Sequence, residues 1–334
     1  MRDRGQRSPQ RALIFLAVLV LLAAGIYFAG RMIEGDQAPE QRSEMTEGFG
    51  RYEEKIHRGK TYYKKTNLTT VLLMGIDRDL TKPQEGFRDG GQSDLMILLV
   101  IDHEGKTVRQ LQIERDTIAR IHVLTITGQD GGYRDLQICL SHGYGANQTD
   151  CAQNAVEAAG HYLDNLDVDL YIQTDYASVN TINDLLGGVT VTMEDDFSAL
   201  DPEMTLGKTL KLHGKQAELY VRSRMNVADG TNANRQIRQR KWLSGALELM
   251  EAKARTDSGF IGRMMDALGP RLMTNAARGR LINEFNAAIG YKRLPMEQIP
   301  GEYGVGRGDF VEDHTSPEDV TSWVLDAMYR PAEE

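Results

Sequence analysis

Two continuous apolar runs, Val71-Leu-Leu-Met-Gly-Ile76 and Leu95-Met-Ile-Leu-Leu-Val-Ile101, constrain this chain more than any other feature. Each has the length of a strand and neither alternates with polar residues, the pattern of strands covered by helices on both faces. After a turn at Asp102-His-Glu-Gly105, the stretch Thr107–Ile113 (TVRQLQI) does alternate at the strand period, which predicts a hairpin with the second run. Each run abuts charge: Asp77 and Arg78 after the first, Ser93 and Asp94 before the second, Arg115 and Asp116 after the third. An antiparallel hairpin brings Asp94 towards Arg115 and Asp116, and Asp77 joins them if the first strand ends at the same edge. Ligands of α/β sheets sit at such edges.

Helical periodicity is expected over Asp150 to Asn165, Tyr176 to Leu186 (closed by Gly187-Gly188) and Asn234 to Lys253, with short strands at Leu170 to Thr174 and Val189 to Met193. The fold class is therefore α/β, an αβα sandwich around a mixed sheet. After Ser258 the pattern is helical again, at Ile261 to Leu268, Ala276 to Ile289 and Pro317 to Tyr329, interrupted by a Pro/Gly-rich stretch from Pro295 to Gly308. This predicts a domain over 67–255 and a C-terminal helical extension over 256–334 without a second core.

Ahead of the domain, Ala12 to Gly30 holds 19 residues without a charge. At 1.5 Å per residue such a helix spans most of a ~30 Å hydrocarbon core. Arg2, Arg4, Arg7 and Arg11 precede it while Glu34, Asp36 and Glu40 follow, so residues 1–11 are expected in the cytoplasm and everything beyond the helix outside. A cleaved leader fits less well, because the apolar run is longer than a usual leader core. Residues 31–66 are polar and read as an extracytoplasmic stalk ending in a short helix.

Composition narrows the partners. With 41% hydrophobic residues the 334-residue chain can bury a full core, and its net charge of −9 argues against a nucleic acid held on a basic face. Arginines nevertheless gather after Tyr220, at Arg222, Arg224, Arg235, Arg238 and Arg240. Guanidinium groups grip phosphate oxygens in pairs, so converging arginines suit a pyrophosphate, although a solvated basic helix face produces the same pattern. Asp77, Asp94 and Asp116 at strand ends suit Mg²⁺, which prefers oxygen ligands and keeps waters and substrate phosphates in its shell. The only cysteines, Cys139 and Cys151, lie in the exported part and are expected to pair as a disulfide. His142 reads as a structural histidine, Arg307-Gly308-Asp309 as an ordinary turn, and no nucleophile elbow accompanies the histidines.

Residues 71–78 (VLLMGIDR), 92–94 (QSD), 113–117 (IERDT), 187–193 (GGVTVTM) and 214–224 (GKQAELYVRSR), followed by Arg235-Gln-Ile-Arg238-Gln239, resemble in order the motifs of the LytR-CpsA-Psr catalytic domain. The resemblance covers about residues 68–255, and a preceding membrane helix is typical of that family. It implies a hydrophobic tunnel for a polyprenyl chain and a polar mouth that binds its pyrophosphate with Mg²⁺. The implied activity is transfer of teichoic acid, capsule or a similar glycan from the lipid to a peptidoglycan hydroxyl. By matching motifs, Asp77 and Asp94 hold the metal, and Arg78, Arg115, Arg222, Arg224, Arg235 and Arg238 contact the phosphates. Asp116 orients an arginine, and Gln239 borders the pyrophosphate. The catalytic set is then Asp77, Asp94, Arg115 and Asp116, and replacing Asp94 is expected to leave the fold intact. Three departures stand out: Gln92 where the family has arginine, Glu114 where it has proline, and Thr231-Asn232 in place of an acidic residue. The alternatives are a polyprenyl-pyrophosphate hydrolase, with water as acceptor, and a non-catalytic envelope-binding module.

Overall fold

A computed structural model of the protein describes residues 53–223, 227, 232–306 and 309–332. The membrane helix expected at residues 12–30, the stalk as far as residue 52, and Arg224 lie outside the described residues. Among the described residues no helix is long and apolar enough to cross a membrane.

The apolar runs form the centre of a six-stranded mixed sheet. Its strands are β1 (Leu68–Ile76), β2 (Ser93–Asp102), β3 (Thr107–Ile113), β4 (Leu170–Asp175), β5 (Met273–Thr274) and β6 (Lys292–Glu297), in the spatial order β5-β4-β1-β2-β3-β6. The predicted hairpin is present, with β2 antiparallel to β3 and Met96 opposite Ile113. β1 is antiparallel to β2 and parallel to β4, so β1, β3 and β4 all end at the edge where β2 begins. Asp77, Asp94, Arg115 and Asp116 meet there for that reason.

Both faces of the sheet are covered, as uninterrupted apolar strands require. On one face Leu72, Met74, Leu98 and Leu111 pack on the alanine-rich helix α1 (Gln148–Tyr162) and on Val324 and Met328 near the C-terminus. On the other, Val71, Ile97 and Leu99 meet Leu281, Leu243 and Phe285. The helices there are α2 (Tyr176–Leu186), α3 (Gln216–Arg222), α4 (Asn232–Thr256), α5 (Phe260–Leu268) and α6 (Arg278–Ala288), which pack among themselves around Phe197, Tyr220 and Trp242. The last helix, α7 (Pro317–Met328), belongs to the first face.

Two expectations are corrected. The C-terminal part is not an all-helical extension: it supplies β5 and β6 to the central sheet and a hairpin, Gly301–Val305 with Val311–Thr315. Proline masked β6, since Pro295 lies inside a register irregularity between Arg293 and Met296, where its missing N–H breaks no ladder bond. The end of the stalk is likewise not helical. Glu54–His57 and Lys60–Lys64 pair as strands, and Lys60–Lys64 also pairs with Tyr329–Pro331, so residues near 60 are tied to the chain's end.

Candidate functional site

Asp94 is the centre of the sheet-edge cluster, and a backbone irregularity puts it there. Gly75 pairs with Leu95 and Ile76 with Ser93, leaving Asp94 as the extra residue of a bulge, a device that re-aims a side chain out of strand alternation. Its buried carboxylate lies 2.8 Å through Oδ1 from Arg115 Nη1, and its Oδ2 accepts from Arg235 Nη1 at 2.9 Å. The hydroxyl of Tyr176 also donates to Oδ2, at 2.8 Å. Burial, and then the Asp94 charge, push the Tyr176 hydroxyl well above its ordinary pKa, which keeps it a donor.

Asp77, one residue beyond β1, is locked to the start of β2. Its N–H donates to the Gln92 carbonyl at 3.0 Å, and its Oδ1 accepts the Gln92 N–H at 2.6 Å. Gly91 makes this approach possible. Its φ is +83°, and a Cβ there would sit 2.7 Å from Arg78 Cβ and 3.0 Å from Asp77 Oδ1. Burial lifts the Asp77 pKa; the Gln92 N–H opposes this, and repulsion from Asp94 adds to it.

Asp77 and Asp94 are oxygen donors of the kind a hard divalent cation takes. Asp94 Oδ1 is already paired with Arg115 at 2.8 Å, and a cation would relieve the repulsion that raises Asp77. Two carboxylates leave most of an octahedral shell to water and phosphate oxygens, as Mg²⁺ prefers. No group of three or more His, Cys, Asp or Glu side chains suited to a metal occurs among the described residues.

The other arginines divide. Arg115 Nη2 donates to Gln92 Oε1 at 2.6 Å, and its Nε lies 3.4 Å from Asp116 Oδ1, which also accepts from Gln137 Nε2 at 3.0 Å. Arg222 is 56% exposed; it pairs with Glu218 at 2.9 Å and lies over the Tyr176 ring at 5.3 Å, so it reaches the mouth with its charge accessible. Arg238 is buried and turned elsewhere: Nε donates to the Tyr220 carbonyl at 2.9 Å, Nη1 to Asp195 at 2.8 Å, and Nη2 to the Ser223 carbonyl. It ties α4 to the end of α3 rather than joining the cluster. Arg78 is also drawn away, to Asp89 and to the Pro83 carbonyl. Gln239 borders the cavity described below, its Nε2 donating to the Val221 carbonyl at 3.3 Å.

The expected disulfide is absent: Cys139 and Cys151 are both free and buried. Their short spacing in sequence suggested a bond, but each thiol is packed separately. Cys139 Sγ is 3.2 Å from Arg115 Nη2, whereas Cys151 Sγ is wedged where a Cβ on Gly90 or Gly145 would collide with it. His142 is fully buried between the Gly91 carbonyl and Gln173 Oε1, at 3.2 and 2.7 Å, as a structural histidine should be.

Sequence reasoning missed Tyr176, which had been read only as the start of a helix. The signal was available, since Asp175-Tyr176 follows a strand as Asp77-Arg78 does; Asp175 caps α2 by accepting the Ser178 N–H at 3.0 Å. Glu114 was noted only as a departure. It lies buried under Gln236 and Gln298, and burial lifts its carboxyl to about 7, with Asp116 and Asp313 adding to the lift.

An apolar cavity of about 220 Å³ lies between the sheet and α2, α4, α5 and α6, and reaches Asp175 and Tyr176 beside this edge. Asp175, Tyr176 and Gln239 stand among Leu73, Leu95, Ile97, Trp242, Leu243 and other apolar side chains in its wall. A charged edge opening onto an apolar channel defines an α/β domain shaped for an amphiphilic anion. The LytR_cpsA_psr family pattern matches residues 33–321, and the chain belongs to that family.

Biofilm regulatory protein A of Streptococcus mutans is 30% identical over 186 residues, 54% of this chain but only 43% of that protein's length. The polyisoprenyl-teichoic acid–peptidoglycan teichoic acid transferase TagU of Oceanobacillus iheyensis is 27% identical over 280 residues, 80% of this chain and 77% of that one. Among solved structures, the LytR-CPS2A-psr protein YwtF (TagT) with bound octaprenyl pyrophosphate lipid shares the fold. It superposes with a TM-score of 0.56 at 20% identity, covering 79% of this chain and 91% of that one.

Proposed function

We propose that this protein transfers a glycopolymer carried on polyprenyl pyrophosphate to peptidoglycan. The observation that carries the reading is the Asp94–Arg115–Arg235 cluster at the mouth of an apolar channel, an arrangement that suits a ligand with a diphosphate head and an isoprenoid tail. It is supported by TagU, named as a transferase of this kind, and by YwtF, solved with octaprenyl pyrophosphate.

In this reading the tail enters the channel and the diphosphate stays at the sheet edge. A peptidoglycan hydroxyl attacks the phosphorus next to the sugar. The new O–P bond forms, the bond from that phosphorus to the bridging oxygen breaks, and polyprenyl phosphate leaves with the hydroxyl proton. Arg115 and Arg235, already fixed by Asp94, present guanidinium charge that need not reorganise as the phosphoryl oxygens gain charge. Arg222 meets the diphosphate from the solvent side, held over Tyr176. Asp77 and Asp94 would hold Mg²⁺, which supplies positive charge to the phosphoryl oxygens. Placement outside the membrane, on a helix at residues 12–30 with a stalk after it, belongs to the same proposal and is supported by the apolar run and the arginines before it.

Transfer of a radiolabelled lipid-linked glycan to peptidoglycan by the purified full chain tests the reading. Arg222→Lys should lower transfer about tenfold, since an ammonium cannot make the paired contact of a guanidinium. Label released to water with none on peptidoglycan would overturn it, and unaltered transfer in Arg222→Lys would remove Arg222 from the diphosphate site.

A further inference from the structure

The hairpin of Gly301–Val305 with Val311–Thr315 is fastened to the charged sheet edge but leaves most of one face uncovered. The Asp313 N–H donates to the Asp116 carbonyl at 2.9 Å, and Asp313 Oδ2 accepts the Thr117 hydroxyl at 2.9 Å. Gln137 Nε2 bridges the same two parts, donating to Asp116 Oδ1 at 3.0 Å and to the Val311 carbonyl at 2.6 Å. Tyr303 stands opposite Asp313 and Val305 opposite Val311, so by strand alternation these four side chains share one face. Asp313 is buried over Gly301, where a Cβ would collide with its Oδ1. The rest of the face is open: Tyr303 is 63% and Val305 73% exposed, and Val311 is exposed beside them. The Tyr303 hydroxyl bonds the Glu114 carboxyl, which fixes the ring while most of it stays in solvent.

We propose that Tyr303, Val305 and Val311 form the acceptor subsite, on which an uncharged amino-sugar segment of the peptidoglycan strand lies. The inference rests on the transfer reading above. Position argues for it. β6 runs parallel to β3 and ends at the same edge, and the hairpin follows β6. In the order β4-β1-β2-β3-β6 the hairpin is therefore on the far side of Asp94 and Arg115 from Tyr176, where the cavity reaches the edge. With the donor's tail on the Tyr176 side, a displacement with entering and leaving oxygens in line needs the acceptor hydroxyl to arrive from the hairpin's side. Charge argues for the same occupant. The hairpin strands carry Glu302, Glu312 and Asp313 against a single basic residue, His314, and Glu114 and Asp116 adjoin them. An anionic glycopolymer or a lipid phosphate is repelled there. A pyranose ring is uncharged and presents C–H groups on one side, which suit the negative face of an aromatic ring.

Transfer by the purified full chain at varied peptidoglycan concentration, with the lipid-linked donor saturating, tests this. Tyr303→Ala should raise the acceptor KM about tenfold, the loss expected of one aromatic contact, while kcat and the donor KM stay as in the wild type. Tyr303→Phe keeps the ring and should stay within about twofold of the wild type. Val305→Asp, which removes apolar surface and adds charge, should also raise the acceptor KM. Co-sedimentation of the full chain with purified peptidoglycan sacculi, without donor, should show the same order of binding, and thermal melting checks that each variant folds. An acceptor KM in Tyr303→Ala equal to that of the wild type overturns the subsite and leaves the transfer reading intact. A Tyr303→Phe variant as impaired as Tyr303→Ala does the same, since the effect then belongs to the Glu114 bond. So does a wild-type dimer that Val305→Asp separates without changing the acceptor KM, because the strip then belongs to a second copy of the chain. A wild type that transfers nothing to peptidoglycan overturns the transfer reading and the subsite with it.

Discussion

Replacing Asp94 by alanine removes a carboxylate that bridges two buried guanidinium groups. Asp94 is 6% exposed in its side chain, Arg115 14% and Arg235 7%, so water screens these charges little. The carboxylate contacts them at 2.8 and 2.9 Å and takes a third bond from Tyr176. Removing one partner of a buried pair typically costs about 3–5 kcal/mol, and here both guanidinium groups lose their shared carboxylate although Asp116 stays near Arg115. In a domain of this size about 1 kcal/mol moves the melting temperature by roughly 2–4 °C, so Asp94→Ala should melt about 10 °C below the wild type. This revises the sequence-based expectation that the exchange leaves the fold intact. Tryptophan fluorescence of the full chain during heating measures the shift. Inorganic pyrophosphate should raise the melting temperature of the variant more than that of the wild type, since an anion replaces the lost counter-charge. A variant that melts within about 2 °C of the wild type would refute the reasoning, as the pair would then contribute far less than a buried bridge should.

Glu114 should make stability fall with rising pH. Its carboxyl, lifted by burial from 4.5 to about 7, favours the protonated form in the fold, so its contribution is fully present below pH 4.5 and is lost as pH rises through about 7. The loss amounts to about 3 kcal/mol, and Glu114→Gln should flatten the melting profile between about pH 5 and 8; an unchanged slope would show that another group is responsible. Burial pushes the Cys139 and Cys151 thiols up to about 11, so a maleimide at neutral pH should label neither in the native protein. Labelling of the denatured, unreduced protein should find both, and finding neither would restore the disulfide.

The central hairpin and the acidic and basic residues at its ends were legible because they depend on local pattern. Unbroken apolar runs of strand length fit strands buried on two faces, and antiparallel pairing with a short turn leaves little choice of register. That is enough to gather Asp94, Arg115 and Asp116. The arginines were legible as a group but not individually. Arg222 and Arg238 look alike in sequence, yet one lies exposed over Tyr176 and the other is used up by Asp195 and two carbonyls. Such partners come from residues far along the chain, and only packing selects among them.

The same division holds for the backbone. β6 contains a proline and Lys60–Lys64 carries two lysines, so neither resembles a sheet strand until β3 and Tyr329–Pro331 come alongside. The α/β class, the strands β1 to β3 and the chemistry of the sheet edge were set by the sequence, through hydrophobic periodicity and the residue types at strand ends. The bulge that aims Asp94, the hydroxyl of Tyr176 upon it and the separate burial of two thiols were decided by tertiary structure. Each of these is a contact between segments whose approach follows from how the helices close over the sheet, and no local pattern records that.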